Sequence, residues 1–241
     1  MLDELSARGY ELLSVEAMPA TEDRKAVYLR HDVDLHIPGI ERIAAVESDL
    51  GVSATYFVPL SLHFNPAYPE NRAILRGLVA AGHSIGLHYD LSTYPADESR
   101  ALQHLDWEVE VLSKIVDAQV KSICMHFPWG GRDDIPRYTD RYIHPQAPRF
   151  DAVGYISDSC RAWRDESLLA CLVDAGPERV LLNTHPELWL GEAGEDRWAF
   201  LNGTLLDNTT RQHRAYITEY MGPAWEVHPA PKAHDERESR L

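Results

Sequence analysis

Basic residues are scarce in this chain. Lys and Arg number 23 against 38 Asp and Glu, a formal net charge of −15. A phosphate backbone or an anionic membrane is bound by clustered cations, so neither is expected as a partner. Cysteine is scarcer still. Cys124, Cys160 and Cys171 are odd in number and form no Cys-x-x-Cys pair. That argues against a disulfide framework and for a reducing cytoplasm. No stretch approaches the roughly 18 uncharged apolar residues of a membrane span. The opening MLDELSARGYELLSVE has acidic residues and no apolar centre, unlike a secretory signal. The GxSxG elbow, the GKS/T phosphate loop, the GxGxxG turn and the HExxH helix are all missing. Their absence removes the usual serine-hydrolase, nucleotide and helical zinc-protease readings.

What is present is apolar material in alternating patterns. With 44% apolar residues in 241, one large domain can be built. Short apolar or β-branched runs predict strands at Ala26 to Leu29, Ser53 to Val58, Ser84 to Tyr89, Val120 to Phe127, Ala152 to Ile156 and Arg179 to Thr184. Helical spacing predicts helices at Ile40 to Leu50, Asn71 to Ala81, Ala96 to Ala118 and Ser167 to Ala175, with Gly51, Gly82 and Gly176 as stops. Strand and helix in alternation imply βαβ units and a parallel sheet, closed or nearly closed into a barrel. Residues 1–25 read as a helical or loop extension, 26–225 as the barrel domain and 226–241 as a disordered polar tail. Pro128 to Phe150 reads as a long loop over the barrel mouth.

Active sites of parallel barrels lie at the C-terminal strand ends. Ionisable residues collect there: Asp32 and Asp34 in YLRHDVDLH, His88 in GHSIGLHYD, His126 in ICMHFPWG, Asp158 in YISDS and His185 in VLLNTHPELW. Residues two apart on a strand share a face, so Asp32 and Asp34 can share one site. Two adjacent carboxylates raise one pKa unless a cation neutralises them. The pair is therefore either a solvated turn or a metal ligand beside a general base. His126 is either a ligand or an ordinary hydrogen-bonding residue, and Asp158 either an N-cap or the partner of His185. His185 suits a general acid, because imidazole titrates near neutrality. Trp129 is either a platform for a sugar ring or a loop anchor. Trp129, Arg132 and Tyr89 are the candidate substrate contacts, with Tyr89 on the opposite face from His88.

In their order and spacing, RHDVD, GVSATYFVPLSLHFNP, AAGHSIGLHYD, CMHFPWG, GYISDS and LLNTHPELW resemble the polysaccharide deacetylases with a NodB homology domain, in the branch whose first motif reads HDVD. The resemblance runs from about Val27 to Trp189 and implies an α/β fold: a distorted (β/α), TIM-like barrel of about seven parallel strands. It implies one divalent metal per chain, most often zinc, and removal of an acyl group, usually acetyl, from an amino sugar or related saccharide. Asp32 falls on the catalytic base, Asp34 and His88 on metal ligands, Asp158 on the fourth motif and His185 on the catalytic histidine. The family's second metal histidine falls on Ser92, so a third ligand has to come from His126, Asp90 or water. Ser92 is also what a silent carbohydrate-binding or scaffold relative would show. A metal-dependent amidohydrolase acting on a non-sugar acyl amide is the remaining alternative.

Overall fold

The computed structural model describes residues 1–126, 141–159, 163, 167–173, 176–191 and 196–218. Seven strands form one sheet: β1 (Glu11–Ser14), β2 (Ala26–Asp32), β3 (Thr55–Val58), β4 (Ser84–Tyr89), β5 (Ile123–Met125), β6 (Gly154–Ser157) and β7 (Arg179–Thr184). The order is β5-β4-β3-β2-β7-β6, with β1 also on β2, and every pairing is parallel. The expected architecture of parallel strands with intervening helices is the observed one. Along one edge of β2, β1 takes Ala26 to Leu29 and β3 takes Arg30 to Asp32.

Alternation along the strands sorts the side chains into two packed faces. Ala26, Tyr28, Phe57, Cys124 and Leu181 form an inner cluster. Val27, Leu29, Tyr56, Val58, Ile85 and Leu87 face the other way. There they meet Ala44 of α2 (Glu41–Asp49), Leu75 and Leu78 of α3 (Pro69–Ala80), and Leu105, Val109 and Leu112 of α4 (Glu98–Val116). Local chemistry sets the helix ends. Pro69 opens α3, where a missing N–H costs nothing. The Asp97 side chain accepts the Arg100 N–H at the start of α4, and Asp117 leaves α4 at a φ of 57°.

Segment 1–25, expected as an extension, supplies α1 (Leu2–Ala7), β1 and the 3-10 turn Val15–Ala20. Val15 and Met18 of that turn are fully buried in the inner cluster, and Thr55 Oγ1 accepts the Val15 N–H at 3.0 Å. Residues 141–150, expected as part of a mouth loop, instead place Ala147 and Phe150 in the inner cluster and bury His144 completely. Apolar anchors, not solvent, position that stretch; 127–140 lie outside the described residues.

The chain divides into two compact units, Met1–Glu195 and Asp196–Leu241. The first contains α5 (Ser167–Leu172) and the whole sheet. Within the second, α6 (Arg197–Tyr216) is capped by Asp196, whose carboxylate accepts the N–H groups of Trp198 and Ala199. No helix among the described residues is long and apolar enough to cross a membrane.

Candidate metal centre

β2 runs three residues beyond its apolar stretch, and its last residues build the site. Arg30 and Asp32 lie on the inner face and bond to each other. Arg30 Nε donates to Asp32 Oδ1 at 2.8 Å, and Nη2 donates to Oδ2 at 2.7 Å. The two side chains are only 3% and 4% exposed. Asn183, opposite Arg30 on β7, donates from Nδ2 to Asp32 Oδ2 at 2.9 Å and to the Tyr155 hydroxyl at 3.0 Å. Burial pushes the Asp32 carboxyl up, but Arg30 and then His88 outweigh it and hold it below the ordinary value. Asp32 is thus a carboxylate fixed in place.

The intervening His31 points to the helix side, where it is buried and fully bonded. Its Nε2 meets Glu47 Oε1 at 2.6 Å and its Nδ1 meets Thr184 Oγ1 at 2.5 Å. The Tyr56 hydroxyl donates to the other Glu47 oxygen at 2.8 Å. This outer network ties the end of β2 to the end of β7, beside Asp32 and His185.

Asp34 lies past the strand, and histidine Nε2 atoms from the ends of β4, β5 and β7 converge on its carboxylate. His88 is 3.3 Å from Oδ1; His126 and His185 are 3.5 and 3.6 Å from Oδ2. Donor atoms of Asp34, His88 and His126 all lie within 4.8 Å of one another. Asp34 Oδ1 is buried without a hydrogen-bond partner among the described residues. Burial raises the Asp34 carboxyl, yet His126 and His88, then His185, hold it well below the usual range.

These residues fit a divalent cation. His88 Nδ1 lies 3.1 Å from the Cys124 carbonyl oxygen, which can only accept, so a neutral ring keeps its proton on Nδ1 and has its Nε2 lone pair for a cation beside Asp34. Burial disfavours the His88 imidazolium, but Asp32 and Asp34 outweigh it and hold a proton there; a cation at the same place satisfies the same carboxylates. Two imidazoles and a carboxylate are a zinc-type donor set. Asp32, His88 and Cys124 also lie within 4.8 Å of one another. That inner set is the poorer home, because Arg30 and Asn183 already occupy both Asp32 oxygens. Asp90 does not face the cluster: its Oδ1 accepts the Ser92 N–H at 2.8 Å and caps the turn Leu91–Thr93.

His185 is held from behind. Its Nδ1 is 2.7 Å from Asp158 Oδ1, and the indole Nε1 of Trp189 donates to Asp158 Oδ2 at 2.6 Å. Burial opposes the imidazolium; Asp158, then Asp32 and Asp34, outweigh it and raise His185 to about 9. Nearby Glu187 is pushed up to about 8, first by burial and then by the Asp34 charge.

The structure therefore brings together Asp32, Asp34, His88, His126, Asp158 and His185. Tyr89 needs correction as a substrate contact. It is 2% exposed, and its hydroxyl is 2.9 Å from His144 Nε2. Strand alternation turns it away from His88 and into the helix-side core. Trp129 and Arg132 lie outside the described residues. Sequence reasoning passed over Arg30, Asn183, Glu187 and Trp189. The first two had a signal: each stands two residues before a site residue, Asp32 or His185, on the same face of its strand.

At Gly86 the inner face has no space for a side chain. A Cβ there would lie 2.5 Å from the Phe57 ring and 2.8 Å from Ser122 Oγ. Phe57 fills that space beneath His88.

No family model and no curated protein matches the chain. Similar solved structures include a family 4 carbohydrate esterase from Bacillus anthracis, 17% identical over 88% of this chain and 86% of that one, with a TM-score of 0.38. The peptidoglycan deacetylase PdaC from Bacillus subtilis is 14% identical over 86% and 98%, at 0.44. A family 4 pseudoenzyme from Bacillus anthracis is 18% identical over 79% and 62%, at 0.43. At such scores, the reading of the site rests on its own geometry.

Proposed function

We propose that this protein is a metal-dependent hydrolase that removes an acyl group, in particular acetyl, from the nitrogen of an amino sugar or related saccharide. One observation carries the reading. A cation-type donor set, Asp34, His88 and His126, is flanked by a fixed carboxylate and by a histidine backed by a carboxylate. The carboxylate Asp32 is held below its ordinary pKa and His185 is raised to about 9, so a base and an acid stand in their working protonation states at neutral pH.

Asp34, His88 and His126 would hold the ion, and zinc would suit their N and O donors. When bound, it supplies Lewis acidity to the acyl carbonyl and makes a water easier to deprotonate. Asp32 accepts the proton of the attacking water, while Arg30 and Asn183 keep its carboxylate from rotating. His185 donates a proton from Nε2 to the departing amine. Asp158 holds the opposite ring nitrogen and stabilises the imidazolium before transfer. Tyr155, half exposed and bonded to Asn183, together with Trp129 and Arg132, is our choice for contact with the sugar. A reducing cytoplasm suits the buried free thiols of Cys124 and Cys171.

A silent saccharide-binding protein is the second reading, favoured by the full hydrogen bonding of both Asp32 oxygens. Release of acetate from N-acetylated amino-sugar oligomers, with and without added zinc, separates the two. Metal-dependent release that disappears in Asp32→Asn supports the hydrolase. Saccharide binding without release supports the silent protein, and release only from non-sugar acyl amides moves the substrate class.

A further inference from the structure

One short turn after β7 holds three parts of the site at once. The 3-10 turn Pro186–Trp189 follows His185 directly. At its far end, Trp189 fixes Asp158. Between them, Glu187 reaches back to the loop after β2. A single oxygen, Oε1, accepts the Asp34 N–H at 2.7 Å and the Leu35 N–H at 2.9 Å. Glu187 is 2% exposed, and no proton transfer described above uses it.

The two amides have a reason to need it. Pairing between β2 and β3 ends where Val33 donates to the Phe57 carbonyl. Beyond that point the backbone leaves the sheet, and Asp34 has to be presented to histidines from three other strands. Both residues are only partly exposed, and backbone N–H groups that leave a sheet ladder and are shielded from water need another acceptor. Here the acceptor belongs to the turn that also carries His185, so the loop of the metal ligand and the loop of the acid are fastened to each other. Leu190, next after the turn, closes against the same loop: a Cβ at Gly39 would lie 2.7 Å from its Cδ1.

We propose that Glu187 is a positioning residue for the cation site, fixing the Asp34 loop so that its carboxylate faces His88 and His126. This rests on the reading that those residues hold a cation.

Calorimetric titration of the full chain with zinc tests it, with the visible absorption of bound cobalt as a second readout. Glu187→Ala removes the acceptor. Zinc affinity should fall about 10–100-fold, as for other residues that orient a ligand from behind, and the cobalt band should shift. Glu187→Gln keeps an oxygen that can accept both N–H groups and should restore most of the affinity. Glu187→Asp keeps the carboxyl group, but its stem is one methylene shorter; it should lose affinity with Ala, and it serves where the Ala variant does not fold. Wild-type affinity in a folded Glu187→Ala or Glu187→Asp chain would overturn the proposal. A loss in Gln equal to that in Ala would also overturn it, since an acceptor oxygen for the two N–H groups would then not be what matters. Failure of the wild-type chain to bind zinc or cobalt would overturn the cation reading itself, and this inference with it.

Discussion

Replacing Arg30 by Met isolates the buried ion pair on which the proposed base depends. Both partners are nearly inaccessible, at 3% and 4%, and joined by two short bonds of 2.8 and 2.7 Å. Removing one partner of such a pair strands the other charge, which costs about 3–5 kcal/mol. Asn183 still donates to Oδ2 at 2.9 Å, so the lower end, about 3 kcal/mol, applies. The effect has a pH signature. In the wild-type chain the Asp32 pKa is lowered, so its stabilisation is present above the unfolded carboxyl pKa of about 3.9 and is lost as pH falls through the folded value. In Arg30→Met the largest opposing charge is gone and burial dominates. The folded pKa then lies above the unfolded one, and stability is lost as pH rises through it. The deficit should therefore shrink on acidification. The double change Arg30→Met with Asp32→Leu should be more stable than Arg30→Met alone, because no charge is stranded. Urea unfolding in mildly acidic and in neutral buffer reads all three. A neutral-pH deficit below about 1 kcal/mol, or one independent of pH, would refute the assignment of a buried carboxylate held by Arg30.

His185→Ala should slow hydrolysis of amides far more than of activated esters, because a good leaving group departs with little protonation; equal losses on both would remove His185 from the acid role. His144 is completely buried, and burial, then Arg30 and His88, lower it to about 3. A depressed histidine stabilises above its unfolded pKa of about 6.5, so from there down to its folded value it should take away up to about 1.4 kcal/mol per pH unit. His144→Gln should remove that part of the slope in a pH series of urea midpoints, and identical slopes would refute it. Gly86→Ala places a Cβ 2.5 Å from the Phe57 ring. It should cost about 1–3 kcal/mol in thermal or urea unfolding, and an unchanged midpoint would mean the inner face has room.

The sheet was legible where burial is apolar. β7 lies where its apolar run predicted, and α2, α3 and α4 follow their periodic stretches to within a few residues. β2 was read short because Arg30, His31 and Asp32 interrupt the apolar pattern. They remain in the strand because each polar group finds a partner on its own face: Arg30 and Asp32 with each other, His31 with Glu47 and Thr184. Helix α6 went unread because its apolar residues are sparse and its start depends on a single cap, Asp196. The rim residues were legible as strand-end His and Asp. Glu187 was not, since its bonds to Asp34 and Leu35 span about 150 positions and no local pattern announces them. Only the fold brings His126 to Asp34 and His88, because chain spacing says nothing about which neighbouring strand ends meet.

Crystals of the full chain grown with zinc, with anomalous diffraction recorded at the zinc edge, test the central claim most directly. One strong peak per chain should lie within bonding distance of Asp34, His88 and His126, with Asp32 and His185 on either side of it. A peak held instead by Asp32, His88 and Cys124, or no peak at a zinc concentration that saturates the protein in solution, would contradict the proposed centre.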